Sequence, residues 1–368
     1  MTQPFEIFMT ATPGLERALH AEALENGFAD AQITQGGVTV MGTWPDVWRA
    51  NLTMRGASRV LARVGDFMAF HLAQLDKRAR KFPWGDILRA DVPLRVEVST
   101  NRKSKIYHAG AAIQRFETAL TANGYQISPD AALALKVRID DNRVTISIDT
   151  SGESLHKRGH KEAVNKAPMR ETLASLFLRE CGYRGTEPVL DPMCGSGTFV
   201  IEAAEIAAGL HPGRTRHFAF EQLASFDADA WQDLRKMGDI THPTGLRFYG
   251  SDRDAGATRM SRANAERAGV AHLTTFETLA VRDLQRPHGP AGLVICNPPY
   301  GERIGNPKLL FGLYANLGQV LQERFKGWRV GIITSDAGLA KATGLPLKPK
   351  GAPVPHGGIK VWLFHAHL

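Results

Sequence analysis

The sequence predicts an α/β chain, with a doubly wound parallel sheet in its second half and an α+β module before it. Three observations carry this. From Pro188 onward, short apolar runs end in polar residues: PVLDPMCG, RFYGSD, LVICNPP and RVGIITS. Helical stretches separate them (FVIEAAEIAAG, ATRMSRANAERAG, LLFGLYANLGQVLQERF), as a sheet covered on both faces requires. Before residue 150, strand-like runs of alternating polarity mix with amphipathic helices. A chain of 368 residues suggests about two domains.

The elements of the first half follow in order. FEIFMTA (5–11) reads as a strand, and LERALHAEALENG (15–27) has helical spacing closing on Gly27. GVTVMG is a short strand, DVWRANLTM (46–54) a helix, and RVLARVGDFMAF (59–70) a strand. LAQLDKRARKFPW is a basic helix stopped at Pro83. LRVEVSTN (94–101) alternates as a strand, and HAGAAIQRFETALTANG (108–124) is a helix. LALKVRIDDNRVTISIDT reads as a hairpin turning at Asp141–Asn142. The polar segment SGESLHKRGHKEAVNKAP places a domain boundary near 150–165.

Composition excludes several classes. Hydrophobic residues at 43% and charged residues at 22% exclude wholesale disorder. Cys181, Cys194 and Cys296 fit neither a disulfide scaffold nor a zinc site, which points to a reducing cytoplasm and no metal. The N-terminal sequence lacks the basic start and apolar core of a signal peptide, and no apolar run is long enough to span a membrane.

The net charge of +8 is uneven along the chain. Residues 1–48 hold one basic residue against six acidic ones, whereas residues 49–115 hold fourteen against five. That basic block is either a solvated surface or a phosphate-binding face. Arg102, Lys103 and Lys105 lie between a strand end and a helix start. Lys77, Arg78, Arg80 and Lys81 come next, and His156, Lys157 and Arg158 stand near the domain junction.

Four motifs carry chemistry. Val189–Thr198 (VLDPMCGSGT) runs from a strand through a Gly-rich turn into a helix, and its glycines let backbone approach a ligand. It fits neither G-x-G-x-x-G nor a P-loop. Asp191 at the strand end can accept hydrogen bonds from a cationic or N–H-bearing group. Asp252, in FYGSDRD (248–254), sits where a ribose diol is gripped, and as readily caps the next helix. Asp283 in LAVRDL can receive an adenine amino group or simply be solvated. ICNPPYGER (295–303) is the most specific of the four. Its two prolines fix the backbone and leave the preceding carbonyls as rigid acceptors. The Asn297 side-chain carbonyl adds an acceptor, and Tyr300 offers a flat ring. Together they suit a planar group bearing an exocyclic NH2, such as a nucleobase.

These motifs resemble the class I S-adenosylmethionine-dependent methyltransferases that modify exocyclic nitrogens. GSDRD, the run Ala263–Gly269 (ANAERAG) and NPPYGER together resemble the THUMP-domain RNA methyltransferases, most of all the large-subunit (23S) rRNA guanine-N2 methyltransferase. LHKRG (155–159), APMRETLA (167–174) and the insert containing FEQL and DADAWQDL match as well, so the likeness spans nearly the whole chain. GGIKVWLF (357–364) departs from it, standing where an N-G-containing turn is expected. The family's rRNA enzyme in some bacteria carries a second methyltransferase domain. With the sequence ending at Leu368, only the first is expected here.

The resemblance implies a Rossmann-like methyltransferase domain over 156–368, a THUMP RNA-binding domain over 49–155, and a ferredoxin-like lead-in over 1–48. It implies S-adenosylmethionine as cofactor, held by Asp191, Pro192, Cys194, Gly195, Gly197 and Thr198, with Asp252 on the ribose and Asp283 on the adenine. Asn297 and the Pro298 carbonyl would take the amino group of a flipped base, and Tyr300 would stack on it. Arg102, Lys103, Lys105, Lys157 and Arg158 would contact structured RNA, with Arg303 a further candidate. The expected enzyme is a cytoplasmic monomer without metal or membrane association. A tRNA guanine-N2 methyltransferase, an adenine-N6 methyltransferase and a binding protein with an inactive methyltransferase domain are the rival readings. Intact Gly195, Gly197, Asp252 and Asn297 argue against the last.

Overall fold

The computed structural model describes residues 3–162, 169–238, 244–301 and 307–368. In chain order the first elements are β1 (Phe5–Thr10), α1 (Glu16–Glu25), β2 (Gln32–Thr34), β3 (Gly37–Gly42), α2 (Trp44–Thr53), β4 (Arg59–Met68), α3 (Leu72–Lys81), β5 (Leu94–Thr100), α4 (Ala109–Ala122), β6 (Leu133–Asp140) and β7 (Arg143–Asp149). Then follow α5 (Glu171–Glu180), β8 (Val189–Asp191), α6 (Thr198–Ala207), α7 (Ala228–Gly238), β9 (Phe248–Asp252), α8 (Ala255–Arg267), β10 (Thr274–Thr278), β11 (Leu293–Cys296), α9 (Pro307–Arg324), β12 (Arg329–Thr334), α10 (Ala337–Ala342), β13 (Lys348–His356) and β14 (Ile359–His367). Two compact units result. The first comprises residues 1–11, 23–155 and 216–237, and the second residues 12–22, 156–215 and 238–368.

The first unit is built on one seven-stranded sheet in the order β2-β3-β1-β4-β7-β6-β5. Its strands alternate as the sequence pattern requires: Ile7 and Met9 are fully buried, while Glu6 and Phe8 on the other face are half-exposed. β5 and β6 run parallel, and α4 makes the crossover between them. The sheet is continuous past residue 48, because β1 pairs with β4. The β6–β7 hairpin turns at Asp141 and Asn142, with φ of 49° and 64°. Both central residues are left-handed, which matches the twist of the flanking strands.

Residues 216–237 lie within the sequence's second half but pack in the first unit. Phe220 stacks on Trp48 with ring centroids 6.1 Å apart and meets Trp231 edge-on at 5.0 Å. The Phe220 N–H donates to the Thr150 carbonyl at 3.1 Å, and the Ala224 N–H to the Ile87 carbonyl at 3.0 Å.

The second unit holds a seven-stranded sheet in the order β10-β9-β8-β11-β12-β14-β13. β10 through β12 are parallel, and β14 and β13 are antiparallel additions. The chain steps outward from β8 to β9 and β10, then returns to β11 on the other side. β8 and β11 therefore flank the topological switch point, where such sheets bind ligands. Under β11 and β12, Tyr314, Leu317 and Leu321 of α9, with Phe325 just past its end, are buried together with Val294, Val330 and Trp328. The β13–β14 turn is Gly357–Gly358, with φ of 59° and 87°. Two glycines thus supply the left-handed pair for which an Asn-Gly turn was expected.

Candidate active site

Strand register brings the motif residues to one end of the second sheet. Leu190 pairs with both Tyr249 and Val294, and Asp191 pairs with Gly250. Asp191, Asp252 and Asn297 therefore stand at or just past the carboxyl ends of three adjacent strands.

The turn after β8 is held from two sides. Its Gly195 N–H donates to Asp252 Oδ2 at 3.1 Å, and its Gly195 carbonyl accepts from Ser261 Oγ at 3.0 Å. Asn264 Nδ2 donates to the Ser196 carbonyl at 3.0 Å. Gly197 caps α6 with φ of 82°. A Cβ there would lie 3.1 Å from Ser261 and 3.2 Å from Phe276, so this glycine is needed for packing. Gly195 differs: its φ is 55°, and a Cβ on it would meet nothing within 4 Å. Its outer side is open, and only the backbone conformation demands glycine. That open, small-residue cradle beside two carboxylates fits a cofactor with an amino acid moiety and a ribose.

Asp191 is buried. Burial pushes its carboxyl up to about 8, and the charge of Asp252 adds to the rise, while the Met193 N–H donating to it at 3.0 Å opposes it. A cation placed beside it would restore its charge. Pro192 is buried next to it. The Cys194 sulfur lies 3.6 Å from Ser261 Oγ and is buried, which pushes its thiol up. Its side chain braces α8, and its backbone belongs to the turn. Thr198 Oγ1 accepts from Lys161 Nζ at 2.9 Å, and the same ammonium donates to the Met169 carbonyl at 2.8 Å. Asp283 ends a 3₁₀ turn (Val281–Asp283), is exposed, and lies 3.5 Å from Arg282.

The NPPY segment leaves β11 as a rigid acceptor surface. Asn297 is half-buried, yet its Oδ1 is fully buried and has no hydrogen-bond partner among the described residues. Such an acceptor costs roughly 1–3 kcal/mol unless something donates to it. Pro298 is buried, and the Pro299 carbonyl accepts from the Tyr314 hydroxyl at 3.4 Å, which ties the segment to α9. Tyr300 is half-buried and packs against the α9 core. Glu302 and Arg303 fall outside the described residues.

The expected RNA contacts divide. Arg102, Lys103 and Lys105 are exposed in the β5–α4 connection of the first unit, and Lys157 is exposed in the second. Arg158 is not available: its side chain is 2% exposed and donates to the fully buried Glu202 at 3.0 Å. A guanidinium paired in the interior cannot reach a phosphate, so Arg158 is structural. His156 is likewise half-buried, and burial among Arg170, Arg158 and Lys161 holds it down to about 4, so it is neutral near pH 7. Sequence reasoning missed Lys161, Ser261 and Asn264. Lys161 and Asn264 were signalled only by the HKRGHK and ANAERAG runs, and Ser261 stands two residues before the second. Among the described residues no cluster of three His, Cys, Asp or Glu side chains could hold a metal ion, and no helix is long and apolar enough to cross a membrane.

Comparison with known proteins agrees with this geometry. Residues 6–61 match the family model described as RlmL ferredoxin-like domain. Among solved structures, SMU.472, described as a methyltransferase and complexed with SAH, superposes with a TM-score of 0.88 at 26% identity, covering 100% of this chain and 99% of that one. A protein of Listeria monocytogenes str. 4b F2365, described as an N6-adenine-specific DNA methylase, gives 0.87 at 30% identity over 98% and 96% of the two chains. A protein of Clostridium difficile 630 described as a methylase gives 0.87 at 28% identity over 99% and 98%. The cofactor is S-adenosylmethionine. With residues 158–351 matching the family model described as RMKL-like, methyltransferase domain, the chain belongs to that family and is an S-adenosylmethionine-dependent methyltransferase.

Proposed function

We propose that the chain methylates the exocyclic N2 of a guanine in large-subunit (23S) rRNA, acting as a cytoplasmic monomer. The observation that supports an exocyclic amino group as the target is the buried Asn297 Oδ1 beside the switch point, which has no hydrogen-bond partner among the described residues. An amino group is the donor it lacks. In this reading residues 156–368 perform the transfer, and residues 49–155 act as a THUMP module that docks RNA.

When bound, S-adenosylmethionine supplies an electrophilic methyl group. Asp252 and the Gly195–Gly197 turn hold it, and Asp191 and Asp283 take its polar ends. The target base leaves its stack, because N2 is otherwise engaged in pairing. Tyr300 stacks on the base, while Asn297 Oδ1 and the Pro298 carbonyl accept from its NH2. These contacts aim the nitrogen lone pair, and the gain is one of positioning. Transfer would form the nitrogen–carbon bond as the cofactor's sulfur–carbon bond breaks, leaving S-adenosylhomocysteine, and the cationic nitrogen would then give its proton to water, so no side chain is assigned as general base.

A second reading is adenine-N6 methylation, because Asn297 accepts either amino group and the Listeria relative is described as an N6-adenine-specific DNA methylase. Fourteen basic residues between 49 and 115 favour a polyanion, and reading that segment as an RNA-binding module favours RNA over DNA. The guanine reading extends to tRNA. Deleting the gene and mapping nucleosides of rRNA and tRNA by mass spectrometry separates the three. Loss of N2-methylguanine from rRNA is expected. Loss of N6-methyladenine with N2-methylguanine intact would overturn the base assignment.

A further inference from the structure

Three connections at one end of the first unit's sheet meet at Asn142. Its carbonyl accepts the Ala69 N–H at 2.9 Å, and its side-chain oxygen accepts the Lys105 N–H at 2.8 Å. The β4–α3 and β5–α4 connections are thereby tied to the β6–β7 turn. Asn101 donates its side-chain amide to Asp140, and Ser104 Oγ donates to the Ile139 carbonyl at 3.3 Å. The Thr100 hydroxyl donates to the Tyr107 carbonyl at 2.7 Å. The tip is braced at five points.

Two aromatic rings project from this braced tip. Tyr107 is 69% exposed and Phe70 43%. One exposed ring needs no explanation. Two on a single rigid tip, flanked by exposed Arg102, Lys103 and Lys105, form a recognisable chemistry. The Lys105 ammonium lies 6.0 Å from the Phe70 ring centroid, so cation and ring share one surface. Rings take the faces of bases, and cations take phosphates. A base within a duplex has both faces covered by its neighbours, so rings add affinity only for unpaired nucleotides.

We propose that this tip is a stacking platform for unpaired nucleotides, with Tyr107 and Phe70 on base faces and Arg102, Lys103 and Lys105 on the adjoining phosphates. It rests on the RNA reading above. It divides the work of substrate recognition: the tip selects a single-stranded stretch, and no base-edge code is required of it.

The test uses the full chain with a short single-stranded RNA carrying 2-aminopurine, and a blunt duplex of the same length. Binding of the single strand should quench the fluorophore. Tyr107→Ala and Phe70→Ala should each weaken single-strand binding roughly tenfold, with duplex binding unchanged, and Tyr107→Phe should bind like the parent. Both side chains are exposed, and unchanged melting temperatures would verify the fold. If both alanine variants bind the single strand normally while charge reversal at Arg102, Lys103 and Lys105 weakens it, stacking is wrong and the RNA reading stands. If the parent binds the duplex as tightly as the single strand, stacking is wrong and the RNA reading stands; if the parent binds neither RNA, the RNA reading falls with it.

Discussion

Asp252 and Gly195 are joined by a hydrogen bond of 3.1 Å, from the backbone N–H of the turn after β8 to the carboxylate at the end of β9. The other oxygen of the same carboxylate accepts the Asp254 N–H at 3.0 Å. One side chain thus holds the cofactor turn and the next helix start together. Hydrogen bonds to a charged acceptor contribute about 1.5–3 kcal/mol each. Asp252→Ala should therefore cut S-adenosylmethionine affinity by roughly ten- to a hundredfold, and Asp252→Asn should fall between. Calorimetric titration measures this, and unchanged affinity in the alanine variant would remove Asp252 from the site.

Asn297 separates binding from turnover. Its Oδ1 has no partner among the described residues, so truncation removes a buried orphan rather than a structural bond. Asn297→Ala should abolish methyl transfer and leave cofactor affinity within a few-fold. A large loss of cofactor binding would contradict its assignment to the base.

Asp191 makes cofactor binding depend on pH. Burial moves its carboxyl from 3.8 to about 8 in the fold. The folded, cofactor-free protein then holds a proton that the unfolded chain has released. Between those two values stability falls as pH rises, and above about 8 it levels. A cationic group bound against Asp191 reverses the preference and expels the proton. Cofactor affinity should rise with pH toward 8, with proton release near neutrality. Titration calorimetry in buffers of different ionisation enthalpy reads that release, and a buffer-independent heat would sink the idea.

Four parallel strands of the second sheet, β8, β9, β11 and β12, were legible because they are short apolar runs with polar ends, and the hairpin at Asp141–Asn142 because its turn chemistry is explicit. β13 was not. Its sequence, KPKGAPVPH, carries prolines at 349, 353 and 355. It is tolerated because β13 is an edge strand with β14 as its sole partner among the described residues. β10 is likewise an edge strand, short and mostly exposed. Arg158 looked like a surface cation because its partner lies 44 residues on. The clue was present in FVIEAAEIAAG, where two glutamates interrupt an otherwise apolar helix. Both Glu202 and Glu205 are fully buried, and Arg214 donates to Glu205 at 2.6 Å. An apolar helix bearing glutamates demands cations from elsewhere in the chain. Asp191, Asp252 and Asn297 were readable as motif residues, but the bracing by Ser261, Asn264 and Lys161 needed the fold.

The Phe220–Trp48 stack predicts how the first unit fails when the chain is cut. Phe220 and Trp231 are buried, and both belong to the insert that the sequence carries after α6. Phe220→Ala deletes a fully buried ring and should destabilise by about 3–5 kcal/mol. The cost falls on the first unit, so cofactor affinity in the folded protein should be unchanged. A fragment of residues 1–155 lacks the whole insert. Trp48 is then left open to solvent, and the carbonyls of Ile87 and Thr150 lose their donors. The fragment should show red-shifted tryptophan emission and bind an apolar dye. A peptide of residues 216–237 added in trans should reverse both. A stable, dye-free fragment 1–155 would show that the insert is dispensable, and the aromatic packing merely opportunistic.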